Sequence, residues 1–575
     1  MSELPNGAIA DALDELGDLY ELDGAVIHRV LAYRNAARAI RNAPVSVAGL
    51  ARDGDLKSLP GVGATLEEKV LALLATGEIP AAVKLRGRYP QGLLAITALP
   101  GLGPKRARRL FDELGVGSPA ELREAAAAGR VRTLKGFGPR GEAAILEALD
   151  AGAAERPRRR LLLDRALELA DLLVAALREV SPAAQIEIAG SVRRRADTVK
   201  DIDIVLDDET LLDALGSLAP IETAQRSGTS AARGRTHDGT TVELRAVAPA
   251  QFGNLLQHLT GSGAHNAALR ERAVRAGLHI SEYGVLDDAD GRTHHFASEA
   301  EVYALAGLSY IEPELRENRG ELDAAAAGTL PKLIERSDLR GDLHAHTTAS
   351  DGRASIEEMA IAARALGYEY LAITDHSATH GFGDAVSPEQ LRRQIELVRA
   401  ANARTDGITL LAGSEVNVLP DGSLDYADDL LGELDWVIAS VHTGFRAEGD
   451  AMTERLCRAA RHPLVDAIGH PTGRRLERRA PYEFDLDAVI AACAQSATML
   501  EINSNPERRD LNDVQARAAA AGGATLLINS DAHSTTGLQA IKYGVWTARR
   551  AWLTSAQVAN TLPWEELRRR LKRKR

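Results

Sequence analysis

The strongest constraint on the fold lies after residue 340, where short apolar runs alternate with Ala-rich helical stretches. The runs are LAITDH (371–376), ITLLAGSEVNV (408–418), DWVIASVH (435–442), DAIGH (466–470), TMLEINS (498–504) and TLLINSDAH (525–533). Such alternation predicts parallel strands with helical crossovers, as in a β/α barrel or a layered α/β fold. The residues able to bind metal follow the same rhythm. GDLHAHTTASDG (341–352) puts His344 and His346 on one strand face, with Asp351 just after. His376, Glu415, His442, His470, Asp531 and His533 sit mostly at the C-terminal ends of the later runs. In a barrel those ends converge on one rim. Nine N/O donors are too many for one cation and suit two or three. Imidazole with carboxylate favours Mn, Zn or Fe over Mg. Scattered core or surface histidines are the competing reading, but chance does not put six of them at strand ends. His380 and His462 fall off the pattern and are expected not to be ligands.

Charge is unevenly placed along the 575 residues. The formal sum is −12, which alone argues against a nucleic-acid partner. Yet residues 1–200 carry 29 basic and 26 acidic side chains, against 40 and 55 in 201–575. Eight of the 15 histidines also follow residue 340. An acidic, His-rich back half is the composition of a multi-metal site, although a solvated acidic surface looks the same. Two cysteines, Cys457 and Cys493, exclude a disulfide scaffold and a Cys-rich zinc ribbon. No apolar run nears the roughly 20 residues of a membrane span. The acidic, amphipathic start does not read as a secretory signal. A soluble, cytoplasmic and nucleoid-associated monomer of three or four domains is expected.

The first 150 residues carry a signature three times: SLPGVGATLEEKV (58–70), ALPGLGPKRARRL (98–110) and TLKGFGPRGEAAIL (133–146). Each is an apolar residue, a Gly-x-Gly turn and an amphipathic helix. The turns use Gly61 and Gly63, Gly101 and Gly103, and Gly136 and Gly138. Glycine lets the backbone approach a phosphate, and the helix start offers free N–H groups and a positive dipole end. Three such units predict a helix-hairpin-helix grip on the DNA backbone without sequence readout. Lys105, Arg106, Arg108 and Arg109 are expected to add charge there. Ordinary αα-hairpin turns are the alternative.

A linker-like stretch, AGAAERPRRR (151–160), precedes a βαβ-like pattern with strands at QIEIAGS (185–191), KDIDIVL (200–206) and TTVELRAV (240–247). Period 2 puts Asp201 and Asp203 on one strand face, with Ile202 and Ile204 on the other. Two like charges this close call for a divalent cation. Glu243 supplies a third carboxylate, which gives the ligand set of two-metal phosphoryl transfer. Upstream, Gly190 and Ser191 form a turn that can cradle a terminal phosphate, with Arg193 and Arg194 to neutralise it.

GSVRR followed by KDIDI resembles the nucleotidyltransferase palm of family X DNA polymerases. HLTGSGAHNAALR (258–270) and SEYG (281–284) resemble that family's thumb. The resemblance implies that Gly190, Ser191 and Arg194 hold the triphosphate, and that Asp201 and Asp203 hold Mg or Mn. It also implies that Gly261, Asn266 and Arg270 face the nucleotide and the nascent base pair. AYRNAARAI with the first hairpin resembles the family's small domain for the 5′ side of a gap, and Lys69 matches its Schiff-base lysine. A lone helical lysine is otherwise a solvated or phosphate-contacting residue. Two positions depart from the pattern: Glu243 stands for Asp, and His258-Leu259 replaces an aromatic pair beside the sugar.

Residues 341–535 are identified as a PHP (polymerase and histidinol phosphatase) domain, with all nine motif positions present. That resemblance implies a distorted seven-stranded β/α barrel, three metals and phosphoester hydrolysis. The expected architecture is multidomain. A small helical DNA-end domain (1–85) and a fingers-like helical domain (86–155) precede an α/β palm (156–255), a thumb (256–330) and a linker (331–340). The PHP domain fills 341–575. The expected function is DNA repair on gapped or nicked DNA: the core adds dNTPs and the PHP domain trims 3′ ends, with abasic-site cleavage and 3′-end cleaning as further implied activities. The rivals are a nuclease with a degenerate polymerase site, a non-catalytic end-binding scaffold and a small-molecule phosphatase. The terminal RRRLKRKR reads as a phosphate contact or a solvated tail.

Overall fold

The computed structural model describes residues 4–41, 43, 45–97, 99, 102–150, 160–381 and 385–572. Gly101 and most of the 151–160 stretch lie outside them. The chain divides into two compact units. The first comprises Met1–Leu161, Arg165–Ile188 and Lys200–Pro249; the second comprises Leu162–Asp164, Ala189–Val199 and Ala250–Arg575. Among the described residues, no helix is long and apolar enough to cross a membrane.

The first unit begins with short helices around one apolar core that includes Leu13, Leu16, Ile40, Val70, Leu110 and Leu122. Helices Ala64–Thr76, Pro104–Leu114 and Gly138–Asp150 each follow one of the Gly-x-Gly turns. Gly61, Gly136 and Gly138 have φ of +81°, +88° and +61°, where a side chain would strain the backbone. The helices are followed by a five-stranded sheet: β1 (Ile186–Ile188), β2 (Asp201–Leu206), β3 (Ile221–Arg226), β4 (Ala231–Thr236) and β5 (Thr241–Ala246), in the order β1-β2-β5-β4-β3. Only β2 and β5 run parallel; every other pair is antiparallel. The βαβ-like expectation is therefore corrected between β1 and β2. These strands are antiparallel, joined by a segment with one four-residue helix, Gly190–Arg193.

In the second unit, helices Phe252–Thr260 and Gly263–Arg275 lead to a small sheet of β6 (Leu278–Ser281), β7 (Gly284–Asp287) and β8 (Arg292–His294). Residues 331–340, read as a linker, are packed: Leu333, Ile334 and Leu339 are buried, and the Ile334 N–H donates to the Leu553 carbonyl at 3.0 Å.

The barrel strands are β9 (Gly341–Ala345), β10 (Tyr370–Ile373), β11 (Thr409–Asn417), β12 (Trp436–Ser440), β13 (Ala467–Ile468), β14 (Met499–Asn503) and β15 (Leu526–Asn529). They pair in sequence order and all in parallel. Apart from half-buried Thr409, every strand residue is buried, because one side packs on helices and the other fills the interior. The interior cluster includes Leu343, Tyr370, Trp436, Ile438 and Leu527, with Leu567 and Leu571 from the last helical segment.

Closure between β9 and β15 combines a backbone bond at the rim with side-chain bonds below it. At the rim, the His346 N–H donates to the Ala532 carbonyl at 2.8 Å. Lower down, fully buried Asn560 donates to the Gly341 carbonyl (2.9 Å) and the Ile528 carbonyl (2.6 Å), and accepts from the Ile528 N–H (3.1 Å). One amide thus satisfies three backbone groups that would otherwise be stranded. Asn560→Ala is expected to cost about 3 kcal/mol, read as a lowered thermal-unfolding midpoint of the barrel's near-UV signal. An unchanged midpoint would remove the closing role.

Candidate functional site

The barrel site is built around Glu415 on β11, 1% exposed. Five imidazoles surround it. His376 Nδ1 lies 2.8 Å and His344 Nε2 3.4 Å from Oε2; His470 Nε2 lies 2.9 Å and His442 Nε2 3.1 Å from Oε1. His346 Nε2 is 3.7 Å from Oε2 and 3.2 Å from Asp531 Oδ1. On the outer side, Asp351 Oδ2 lies 3.2 Å from His533 Nε2 and 3.6 Å from His376 Nε2. All nine predicted residues thus come together at the strand ends.

Three overlapping groups offer ligand atoms within 4.8 Å of one another: His346, Asp351, His376 and His533; His344, His346 and Asp531; and His376, Glu415 and His442. His470 is outside them but within reach of Glu415. Both Glu415 oxygens and the Nε2 atoms of His344 and His346 are buried without a hydrogen bond. Orphaned carboxylate and imidazole atoms facing one another fit a cluster of divalent cations. The electrostatics agree. Burial opposes charge on Glu415, but His442, His344 and His376 hold its carboxyl well below the usual range. Burial pushes His346 and His442 down to about 4. Burial also opposes charge on His376, yet Glu415 and Asp351 outweigh it and raise its pKa to about 10.

Three supporting residues, Glu501, Asn503 and Arg508, escaped the sequence reading. Glu501 is fully buried on β14: its Oε1 accepts from His344 Nδ1 (2.8 Å) and Asn529 Nδ2 (3.0 Å), and its Oε2 accepts from the His470 N–H (2.6 Å). This fixes the proton of His344 on Nδ1 and turns Nε2 toward the cluster. Asn503 donates to Asp531 Oδ2 at 3.0 Å. Arg508, 8% exposed, brings Nε to 3.5 Å from the same oxygen. His380 is also buried and stacks on His376 at 4.6 Å and 18°. His462 lies apart, against Asp428 at 3.2 Å. A carboxylate two residues before an Asn on an apolar strand (EIN) is the one signal that could have marked Glu501. His470 and Asp531 have φ of +26° and +55°, the kind of strain that clusters at functional sites.

In the first unit, the β2–β5 register puts Asp203 beside Glu243 and Asp201 beside Thr241. Ile202, Ile204, Val242 and Leu244 are fully buried on the opposite face. Strands about 4.8 Å apart therefore display the Asp203 and Glu243 carboxylates as neighbours. Glu243 also lies 3.7 Å from Arg245. A groove of about 770 Å³ beside them is lined by Lys200, Asp201, Arg233 and Arg235, among others.

The remaining predicted residues are already engaged. Gly190 has φ +62° at the start of its short helix, and Ser191 is half-buried. Arg194 donates through Nε to Glu317 (3.0 Å) and through Nη1 to the Thr260 carbonyl (2.8 Å). Asn266 donates to the His258 carbonyl (2.6 Å), and Arg270 contacts His258 Nδ1 (2.8 Å). A Cβ on Gly261 would come within 2.6 Å of Asn266 Oδ1, so glycine is required there. Around the Gly-x-Gly turns, Cβ atoms at Gly61, Gly63, Gly103, Gly136 and Gly138 would meet only open space. Lys105 is exposed, and half-buried Lys69 pairs with Glu68 at 3.0 Å. Arg106 and Arg109 donate to the Gly136 and Lys135 carbonyls, and Arg108 donates to the Leu22 carbonyl. These side chains hold the helices to each other. At the C-terminus, Lys572 is docked on the Ala460 and His462 carbonyls.

Glu501→Gln keeps the shape of the site but removes the charge behind His344. Its affinity for Mn²⁺, measured by calorimetric titration of metal-stripped protein, is expected to fall about 10- to 100-fold. Unchanged affinity would contradict the supporting role of Glu501.

Several known families match segments of the chain. Residues 4–79 match a helix-hairpin-helix domain and 93–151 a SAM-like helix-hairpin-helix tandem. Residues 255–317 match the DNA polymerase beta thumb, and 342–504 the PHP domain. Among curated proteins, the chain is 37% identical over 567 residues to the DNA polymerase/3′-5′ exonuclease PolX of Bacillus subtilis, covering 98% of each. It is also 32% identical over 202 residues to a probable phosphatase of Shewanella oneidensis, covering 33% of this chain and 75% of that one. With a probable phosphatase of Thermoanaerobacter it shares 28% identity, over 38% of this chain and 89% of that one. The phosphatases align with about a third of the chain, whereas the polymerase/exonuclease aligns from end to end. The chain belongs to the family X DNA polymerases that carry a C-terminal PHP domain.

Proposed function

We infer that this protein is a DNA repair enzyme with two chemistries, template-directed gap-filling synthesis and 3′–5′ exonucleolytic trimming. The observation that carries this reading is the nine-residue donor cluster of the barrel, in one chain with the paired carboxylates of β2 and β5. Its substrates are DNA and dNTPs, and both sites use divalent metal ions. A purely small-molecule phosphatase has no need for the three Gly-x-Gly helix starts.

In finer detail, Asp201, Asp203 and Glu243 hold Mg²⁺ or Mn²⁺, and Gly190, Ser191 and Arg194 receive the triphosphate. Gly261, Asn266 and Arg270 border the nucleotide and the nascent base pair. Gly61, Gly63, Gly101, Gly103, Gly136 and Gly138, with Lys69 and Lys105, follow the DNA backbone. His344, His346, Asp351, His376, Glu415, His442, His470, Asp531 and His533 hold two to three Mn, Zn or Fe ions. When bound, such ions supply Lewis acidity and an activated water for phosphoester hydrolysis. The protein's own part is to keep Glu415 and Asp531 ionised in a buried site and to fix the His344 proton on Nδ1 against Glu501. Arg508, buried beside Asp531, adds a cation to the site. The domains in this reading are 1–85, 86–155, 156–255, 256–330 and 341–575, with 331–340 connecting the last two. The enzyme acts as a monomer in the cytoplasm, at the nucleoid, on gapped or nicked DNA.

One experiment separates the two chemistries. On a gapped primer–template with dNTPs, Asp203→Ala is expected to abolish extension and spare 3′ trimming. His344→Ala is expected to do the reverse. Loss of both activities from either substitution would contradict two independent sites.

A further inference from the structure

Within the second unit, the barrel grips the turn that follows the Gly190–Arg193 helix. Three buried arginines from three barrel segments converge on it. Arg550, at the end of helix Ile541–Arg550, donates through Nη1 to the Arg194 carbonyl at 2.7 Å. Fully buried Arg509 donates to the Arg195 carbonyl at 3.0 Å, and its Nη1 lies 3.2 Å from Asp197 Oδ1. Arg474 donates to the other Asp197 oxygen at 2.8 Å. The turn needs this support. Arg195 sits at φ +58°, a left-handed conformation that costs a non-glycine residue on the order of 1 kcal/mol. Its side chain covers the Trp546 ring of the barrel at 4.4 Å.

One oxygen links this grip to the nucleotide site. Glu317 Oε1 accepts from Arg194 Nε at 3.0 Å and from Arg550 Nη1 at 3.0 Å. Arg550 also lies 2.9 Å from Asp513. A carboxylate shared between two guanidiniums holds each less tightly than it would hold one. We propose that Arg474, Arg509 and Arg550 of the barrel are positioning residues for nucleotide binding. They fix the turn that carries Arg194, and Arg550 draws on Glu317 so that the Arg194 guanidinium stays available to the triphosphate. This rests on the reading of Arg194 as a triphosphate contact. It makes the phosphoesterase barrel the support of Arg194, a dependence that sequence separation of more than 350 residues conceals.

Single-nucleotide insertion by the full chain on a gapped primer–template tests the proposal, with kcat and the KM for dNTP measured separately. Arg550→Gln leaves Glu317 to Arg194 alone, so KM is expected to rise about tenfold with kcat little changed. Adding Glu317→Gln to that variant is expected to bring KM back to within about threefold of wild type. Arg550→Lys, which keeps the charge, should fall between the two. Exonuclease activity of the same preparations reports that the barrel is folded. Arg194→Gln tests the underlying reading: if it leaves KM unchanged, Arg194 is not a triphosphate contact and that reading fails. If Arg194→Gln raises KM but Arg550→Gln does not, the reading stands and the positioning role is overturned. A KM rise that Glu317→Gln does not reverse overturns the sharing of Glu317. Should Arg550→Gln not fold, Glu317→Gln alone decides. A KM at or below wild type supports the proposal, and a rise contradicts it.

Discussion

The structure depends most on the burial of one carboxylate. Glu415 sits almost without solvent among five imidazoles. An isolated buried charge is prohibitive, so it must be matched by positive charge delivered to the same small volume. The parallel barrel does this by ending its strands on one rim, which brings residues up to nearly 190 positions apart into contact. Glu501, Asn503 and Arg508 then fix how the histidines and Asp531 present themselves. Closure by Asn560 is part of the same design, since β9 carries His344 and β15 leads to Asp531.

The second site uses weaker means. Asp203 and Glu243 are neighbours because two strands run parallel in one register, with buried isoleucine, valine and leucine behind them. Nothing comparable to the barrel's imidazole cage surrounds them among the described residues, so both stay partly solvated. The chain thus carries one open and one closed carboxylate site.

Much of the placement of the candidate site residues was legible in the sequence. Strand ends in a parallel barrel fall at fixed places in the apolar rhythm, so His376, His442 and Asp531 could be read directly. Asp201 and Asp203 followed from period 2 alone. What stayed hidden depends on partners distant in the chain. Asn560, Arg474, Arg509 and Arg550 carry no local pattern that marks their roles, and Glu501 only the EIN run. Arg106, Arg108 and Arg109 also hold helices together through the Gly136, Leu22 and Lys135 carbonyls, a role that no local pattern marks. The residues 331–340 read as a linker because they are polar on average, but their three apolar side chains are buried. The global charge of −12 was also misleading, since it hides a near-neutral front and an acidic back half holding the barrel's carboxylates.

The central claim is that the donors around Glu415 hold several cations close together. Low-temperature electron paramagnetic resonance of the full chain, stripped of metal and reloaded with Mn²⁺, tests it directly, with Asp203→Ala used to silence the polymerase site. Ions held by these overlapping donor groups would lie close enough for spin coupling, so the account predicts a broad multiline signal that titrates with two or more Mn²⁺ per chain. A simple six-line signal saturating at one ion would contradict it.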